Sequence, residues 1–221
     1  MGLPSMLLYA NRTGDVRFQE WALKEYNETT NGGVNSSQPA LWDLESNLYW
    51  RDHTYISQRN TDGSKIFWGR GNGWAIGAMA LAHRATADPS LQEEFSGRLK
   101  AMAQALLPLQ QSDGFWRANL LFPTDPKCPN PETTSTSFFT FGMAYGINSG
   151  ILDSATYLPV VTKAWAALSS TALKPSGLVG WCQPAGAGPN PATSNSTSDF
   201  CVGAFLLAGS ETYRVASKFL T

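Results

Sequence analysis

Apolar positions along the chain fall into two kinds of stretch, and the two kinds alternate. One kind is apolar almost all round. Trp74 to Ala87 carries Ala75, Ile76, Ala78, Met79, Leu81 and Ala82. Thr133 to Asn148 carries Phe138, Phe139, Phe141, Met143, Tyr145 and Ile147, and Asp199 to about Tyr213 carries Phe200, Val202, Ala204, Phe205, Leu206 and Leu207. A helix with no polar face is a buried helix. The other kind has its apolar residues on one helical stripe. Asp15 to Thr29 has Phe18, Trp21, Ala22 and Tyr26 on that stripe, and Leu91 to Gln110 has Leu91, Phe95, Leu99, Met102 and Leu106. A third such helix, capped by Asp153 or Ser154, has Tyr157, Val160, Val161, Ala164, Trp165 and Leu168. Met1 to Asn11 reads as the end of one more apolar helix. Short turns, at Asp88-Pro89-Ser90 and Ser149-Gly150, follow the buried helices; long loops, Thr30–Gly73, Gln111–Glu132 and Lys174–Thr197, precede them.

This pattern is an internal repeat. Each loop carries a small residue, apolar residues and a tryptophan, and Trp50, Trp116 and Trp181 are 66 (116 − 50) and 65 (181 − 116) residues apart. Buried helices alternating with half-buried ones predict an all-α fold, an α/α toroid with an inner and an outer layer. Residues 1–221 are expected to form a single, partial barrel domain of about three and a half helical hairpins. The inner helices are each separated by one antiparallel outer helix, so they run parallel and open on one rim. The long loops belong to that rim, where function usually sits on a rigid scaffold. The helix N-termini there favour an anion.

Composition narrows the partners. The chain is 43% hydrophobic and 15% charged, with a net charge of −1. Nucleic-acid binding needs a basic face that this balance does not supply, and no apolar run reaches the roughly 18 residues of a membrane span. No Cys or His spacing suggests a metal, and no cofactor is expected. Of the cysteines, Cys128, Cys182 and Cys201, the last two would pair in an oxidising compartment or stand as buried small hydrophobes. Sequons at Asn11, Asn27, Asn35 and Asn195 point to a secreted, extracellular protein, although the first residues do not read as a signal peptide.

The candidate chemistry centres on Phe67-Trp68-Gly69-Arg70-Gly71-Asn72-Gly73-Trp74, expected to be a tight turn leading into a helix. Glycine admits crowded or left-handed backbone. The arginine fork binds carboxylates, and an indole face packs on the C–H surface of a sugar. Trp68, Arg70, Asn72 and Trp74, with Thr134 and Ser135 from the next buried helix, are the candidate binders of an acidic oligosaccharide. The same residues also admit purely structural roles: the tryptophans as wedges, Arg70 neutralising a buried group, Thr134 and Ser135 as helix starters.

Three blocks, FWGRGNGW, PETTSTSFFTFGMAYGINSGILD and GLVGWCQPAG with SDFCVGAFLLAGSE, resemble glycoside hydrolase family 105, the unsaturated rhamnogalacturonyl hydrolases, or its close neighbour family 88. The resemblance runs in order across essentially the whole chain. It implies an (α/α)6 barrel acting on pectin fragments that end in an unsaturated uronic acid. It also implies hydration of a vinyl ether, in which an Asp protonates the C4=C5 bond, water adds at C5 and the hemiketal collapses. Trp68 and Trp74 would line the sugar pocket, Arg70 would approach the uronate, and Arg51 or His53 would reach in from the preceding loop. The family's acid lies in a pattern like Asp-Ala-Leu-Phe-Met-Gly-Xaa-Pro, which places it about four residues before Met1-Gly2-Leu3-Pro4. No catalytic residue is therefore assigned, Asp43, Glu45 and Asp52 being the acids of the right loop zone. The chain is expected to be either a truncated piece of a longer protein or a homo-oligomer joined through its open edges, and to show no turnover by itself; the alternatives are a dead remnant that still binds acidic sugars and a structural self-associating protein.

Overall fold

A computed structural model describes residues 2–33 and 39–219 of the protein. Asn35 lies outside them. Seven helices are described: α1 (Gly2–Thr13), α2 (Val16–Asn31), α3 (Gly69–Ala85), α4 (Pro89–Leu106), α5 (Thr133–Asn148), α6 (Ser154–Ala167) and α7 (Asp199–Phe219). A two-residue hairpin, β1 (Trp42–Asp43) and β2 (Leu48–Tyr49), pairs antiparallel in the loop between α2 and α3.

Helices α1, α3, α5 and α7 pack side by side in sequence order, and α2, α4 and α6 back them from outside. This is the all-α arc of a toroid that the apolar pattern predicts. The layers differ as their sequences require. All of α5 from Thr133 to Ile147 is buried, whereas α4 buries only Phe95, Leu99, Met102, Ala103 and Leu106. Asp side chains start the outer helices by accepting backbone N–H groups of the first turn: Asp15 for α2, Asp88 for α4 and Asp153 for α6.

Two of the repeated tryptophans are plugs. Trp50 is 5% exposed and packs on Phe67 at 4.5 Å between ring centroids. Trp116 is fully enclosed, and its indole N–H donates to the Leu106 carbonyl at 2.9 Å. Trp181 is half-buried and takes a positive φ of 58°.

The glycine-rich stretch departs from expectation. It is the first turn of α3, which begins at Gly69 rather than Trp74. Gly69, Gly71 and Gly73 are not among the glycines of positive φ. The second of glycine's properties, tolerance of crowding, explains two of them. A Cβ on Gly69 would lie 2.7 Å from the Arg117 carbonyl oxygen, and one on Gly73 would lie 3.1 Å from Phe138 Cβ. The glycines let α3 seat directly on α5 and on the loop before it.

At the C-terminal ends of the inner helices a buried carboxylate ties three of them together. Glu211 of α7, 2% exposed, receives Arg84 of α3 at 2.5 Å, Asn148 of α5 at 2.8 Å and Arg214 at 3.3 Å. No described helix is long and apolar enough to cross a membrane.

Candidate functional site

The N-terminal ends of α3, α5 and α7 meet at one rim. Gly69 sits against Ser135, and the Arg70 guanidinium lies 5.1 Å from the centre of the Phe200 ring. The loop before α7 runs along the start of α5, where Thr133 N–H donates to the Trp181 carbonyl at 2.9 Å and the Thr133 hydroxyl to Gly180 at 2.7 Å. A disulfide joins Cys182 in this loop to Cys201 in the first turn of α7, with Cα atoms 5.9 Å apart. That settles the pairing the sequence left open.

The sequence-predicted residues divide into two groups. Trp68 and Arg70 form a buried pair. The guanidinium stacks on the Trp68 ring at 4.5 Å, and its Nη1 donates to the carbonyls of Gln183 at 2.7 Å and Pro184 at 2.9 Å. Among the described residues, Nε and Nη2 have no acceptor. Burial lowers the Arg70 pKa, and Glu132 counters that through space. Arg70 is thus a desolvated cation, 3% exposed, held by neutral carbonyls, with donors of its fork left over. Glu132 caps α5: its oxygens accept from Thr134 N at 2.9 Å and Ser135 N at 2.7 Å, and from Gln183 N at 3.3 Å.

Trp74 lies elsewhere. It packs on Phe138 at 4.3 Å and lines a cavity of about 340 Å³ between α1, α2, α3 and the hairpin. Trp21, Tyr26, Tyr49 and Trp50 supply further aromatic wall, with Arg51 and Glu25 also on the lining. Aromatic faces with a few charged groups suit a sugar ring bearing a carboxylate. The sequence placed Arg51 as a candidate; it did not single out Trp21, Tyr26 or Glu25. The stripe of α2 held the signal, since Trp21, half exposed, is too large for an ordinary solvent face.

Asn72 is committed to the chain itself. Its amide accepts from Tyr49 N at 2.8 Å and donates to Tyr49 O at 3.0 Å and Trp68 O at 3.2 Å. It does the work of a neighbouring strand for β2, so the amide that the sequence offers as a polar rim group is held by the chain's own backbone. Thr134 and Ser135 are fully buried in the first turn of α5. Ser135 Oγ donates to the Glu132 carbonyl at 3.4 Å, while Thr134 Oγ1 has no partner; neither do the nearby Ser137 and Ser198 hydroxyls. Buried hydroxyls without partners are uncommon, and these three belong to the N-terminal ends of α5 and α7, the same end of the inner helices that carries Arg70.

The loop acids are engaged. Lys65 Nζ bonds both oxygens of Asp43, at 2.8 and 3.0 Å, and Glu45 at 2.7 Å. Burial would raise the Asp43 carboxyl, but hydrogen bonds from Lys65 and Ser46 outweigh it and hold it below the usual range. The Thr54 hydroxyl bond, with Arg51 alongside, depresses Asp52. A general acid needs the opposite, a pKa drawn up toward the working pH. His53 is exposed. Burial and the neighbouring Asp125 push the Cys128 thiol up to about 12, far from a reactive thiolate. No cluster of three or more metal-ligating side chains occurs among the described residues.

Comparison with known proteins gives the lineage. Residues 1–216 match the family described as Glycosyl Hydrolase Family 88. The chain is 37% identical over 222 residues to an unsaturated 3S-rhamnoglycuronyl hydrolase of Formosa agariphila, covering 97% of this chain and 56% of that protein. It is 34% identical over 201 residues to a protein of the same description from an Alteromonas species (strain LOR), covering 90% and 46%. A glycosyl hydrolase family 88 structure from Bacteroides vulgatus superposes with a TM-score of 0.86 at 36% identity, over 96% of this chain and 60% of that one. The chain thus spans about half the length of the curated relatives it matches. With the apolar helix repeat and the aromatic, arginine-bearing rim already in view, these matches give one conclusion: the chain belongs to glycosyl hydrolase family 88.

Proposed function

We propose that this chain holds an oligosaccharide ending in an unsaturated uronic acid, within an enzyme that releases that sugar by hydrating its vinyl ether. The observation that supports this most is the cavity of about 340 Å³ walled by Trp21, Tyr26, Tyr49, Trp50 and Trp74, with Arg51 on its lining. The rings cover the sugar's C–H faces; Arg51 is ion-paired with Asp52, and the uronate is assigned to the free edge of Arg70, next to Gly71 of the cavity wall. Arg70 adds fixed positive charge at the same rim, where α3, α5 and α7 also present their N-termini. Pectin fragments are one source of such a terminus. Relatives described as acting on rhamnoglycuronyl substrates favour rhamnose as the next sugar.

For this chain by itself the proposed activity is binding without turnover. Asp43, Glu45 and Asp52 are engaged by Lys65, Arg51 and Thr54 and do not line the cavity. Glu25 is the one acid on the cavity wall among the described residues, and it is the residue to replace should turnover be seen. Titration calorimetry with an unsaturated galacturonyl disaccharide and an unsaturated glucuronyl-rhamnose disaccharide tests the proposal, with absorbance of the conjugated enoate followed alongside. Heat of binding at constant absorbance is the expected result. Falling absorbance that Glu25→Gln abolishes assigns turnover to this chain. Absence of heat with both sugars defeats the proposal.

The disulfide and the exposed sequons at Asn11, Asn27 and Asn195 support an extracellular site of action. Exposed Leu8, Tyr9, Val16 and Trp21 on the α1–α2 side, and Leu206 and Tyr213 on α7, support self-association. Light scattering that returns a clean monomer would rule the latter out.

A further inference from the structure

Gln183 is fully buried, and all its polar groups are engaged. Its side-chain Oε1 accepts the Trp68 indole N–H at 2.8 Å, and its Nε2 donates to the Gly188 carbonyl at 2.7 Å. Its backbone carbonyl accepts Arg70 Nη1 at 2.7 Å, and its backbone N–H donates to Glu132 at 3.3 Å. One residue therefore fixes both members of the Trp68–Arg70 stack, the ring through its side chain and the guanidinium through its main chain. Its own place is fixed in turn. Cys182, beside it, is covalently tied to α7, and Cys182 N–H donates to the Ser196 carbonyl at 3.0 Å. The loop beyond is shaped to fit: the Tyr55 hydroxyl donates to the Ala187 carbonyl at 3.1 Å, and a Cβ on Gly188 would lie 2.5 Å from that hydroxyl oxygen.

We infer that Gln183 is the positioning residue of the acidic-sugar site, holding the Trp68 ring as the platform that keeps the free edge of the Arg70 guanidinium available to a uronate. The inference rests on the proposed function for its ligand. It goes beyond it in assigning site geometry to a residue that touches no sugar. The physical basis is the fixed orientation of the stack. A planar guanidinium anchored at Nη1 alone can still pivot, and a ring locked by its N–H removes that freedom. Preorganised donors bind an anion without first being ordered.

The test uses the whole chain. Two-dimensional ¹⁵N spectra report the Trp68 indole N–H directly, with the signal assigned by Trp68→Phe. Gln183→Leu is expected to move that signal and to speed its exchange with solvent. It is also expected to weaken calorimetric binding of the unsaturated galacturonyl disaccharide about tenfold, the scale set by leaving a buried donor unpaired. In the Trp68→Phe background Gln183→Leu should add little further loss, because the bond it breaks is already gone. An unmoved indole signal, or equal losses in both backgrounds, overturns the inference. Should Gln183→Leu not fold, Trp68→Phe carries the test alone: it keeps a ring under Arg70 and removes only the donor, and undiminished binding refutes the assignment. If the wild-type chain binds neither disaccharide, the proposed function fails. The indole signal then still judges whether Gln183 holds Trp68.

Discussion

The two ends of the inner helices bury charge in opposite ways. At the C-terminal end Glu211 meets Arg84, Arg214 and Asn148, so each of its oxygens has a partner. At the N-terminal end Arg70 is buried against two aromatic rings and two neutral carbonyls, with Glu132 acting on it only through space. Among the described residues, the buried hydroxyls without partners follow the same division: Thr134, Ser137 and Ser198 lie toward the Arg70 end and Thr212 toward the other. A matched buried charge fixes structure; an unmatched one costs stability unless a ligand or function compensates. The comparison separates, within one set of helices, a rim whose buried charge is matched from one whose buried charge is not, and the proposed binding belongs to the second.

The sharpest way to break that comparison is to unmatch the matched end. Glu211→Ala leaves Arg84 and Arg214 side by side and is expected to cost about 3 kcal/mol, the low end for a broken buried pair because both arginines reach solvent. Urea unfolding measures it, and sugar binding by the folded fraction should not change. A tenfold loss of binding would erase the distinction between the rims.

At the other end, Cys201→Ser opens a loop spanning a sequence separation of 19, worth about 3 kcal/mol of unfolded-state entropy. Unlike Glu211→Ala it should weaken binding too, since Gln183 adjoins Cys182. Thermal unfolding and calorimetry on the same sample decide whether the two losses travel together.

Arg70→Lys keeps the charge and gives up the planar fork and the stack. Binding should fall about tenfold while the urea midpoint shifts by far less than for Glu211→Ala. A large stability loss at unchanged affinity would make Arg70 a structural residue.

The smallest effect concerns pH. His83, at the C-terminal end, contacts the Tyr145 hydroxyl at 2.8 Å beside Arg84, and burial lowers its pKa below the ordinary 6.5. The unfolded chain therefore binds the proton more readily. Stability from a neutral His83 is complete above pH 6.5 and declines as pH falls below it, levelling off beneath the folded-state value. The slope of melting temperature between pH 7 and 5 should shrink in His83→Gln, and binding should not follow it. A slope identical in the variant would assign the acid sensitivity to other groups.

The layering and its order were legible in the sequence because burial writes itself as periodicity. Helix α5 has no polar face and α4 has one, so their inner and outer places follow from residue spacing alone. The start of α3 was not legible. Gly69 N–H donates to the Ala118 carbonyl at 2.8 Å, and the Arg117 carbonyl and the Ser135 side chain leave no room for a Cβ there; no local pattern records such neighbours. The candidate list shows the same boundary. Residue types alone named Trp68, Arg70, Asn72 and Trp74 as one group. The fold gave the Asn72 amide to the Tyr49 backbone, Arg70 Nη1 to a carbonyl 113 residues away and Trp74 to a separate cavity. Which side chains exist, and which helix faces are oily, is a property of the sequence. Which hydrogen-bonding groups remain free for a ligand is decided only when distant backbone arrives to claim the others, because each N–H donates to what is within about 3 Å of it in space, whatever the separation along the chain.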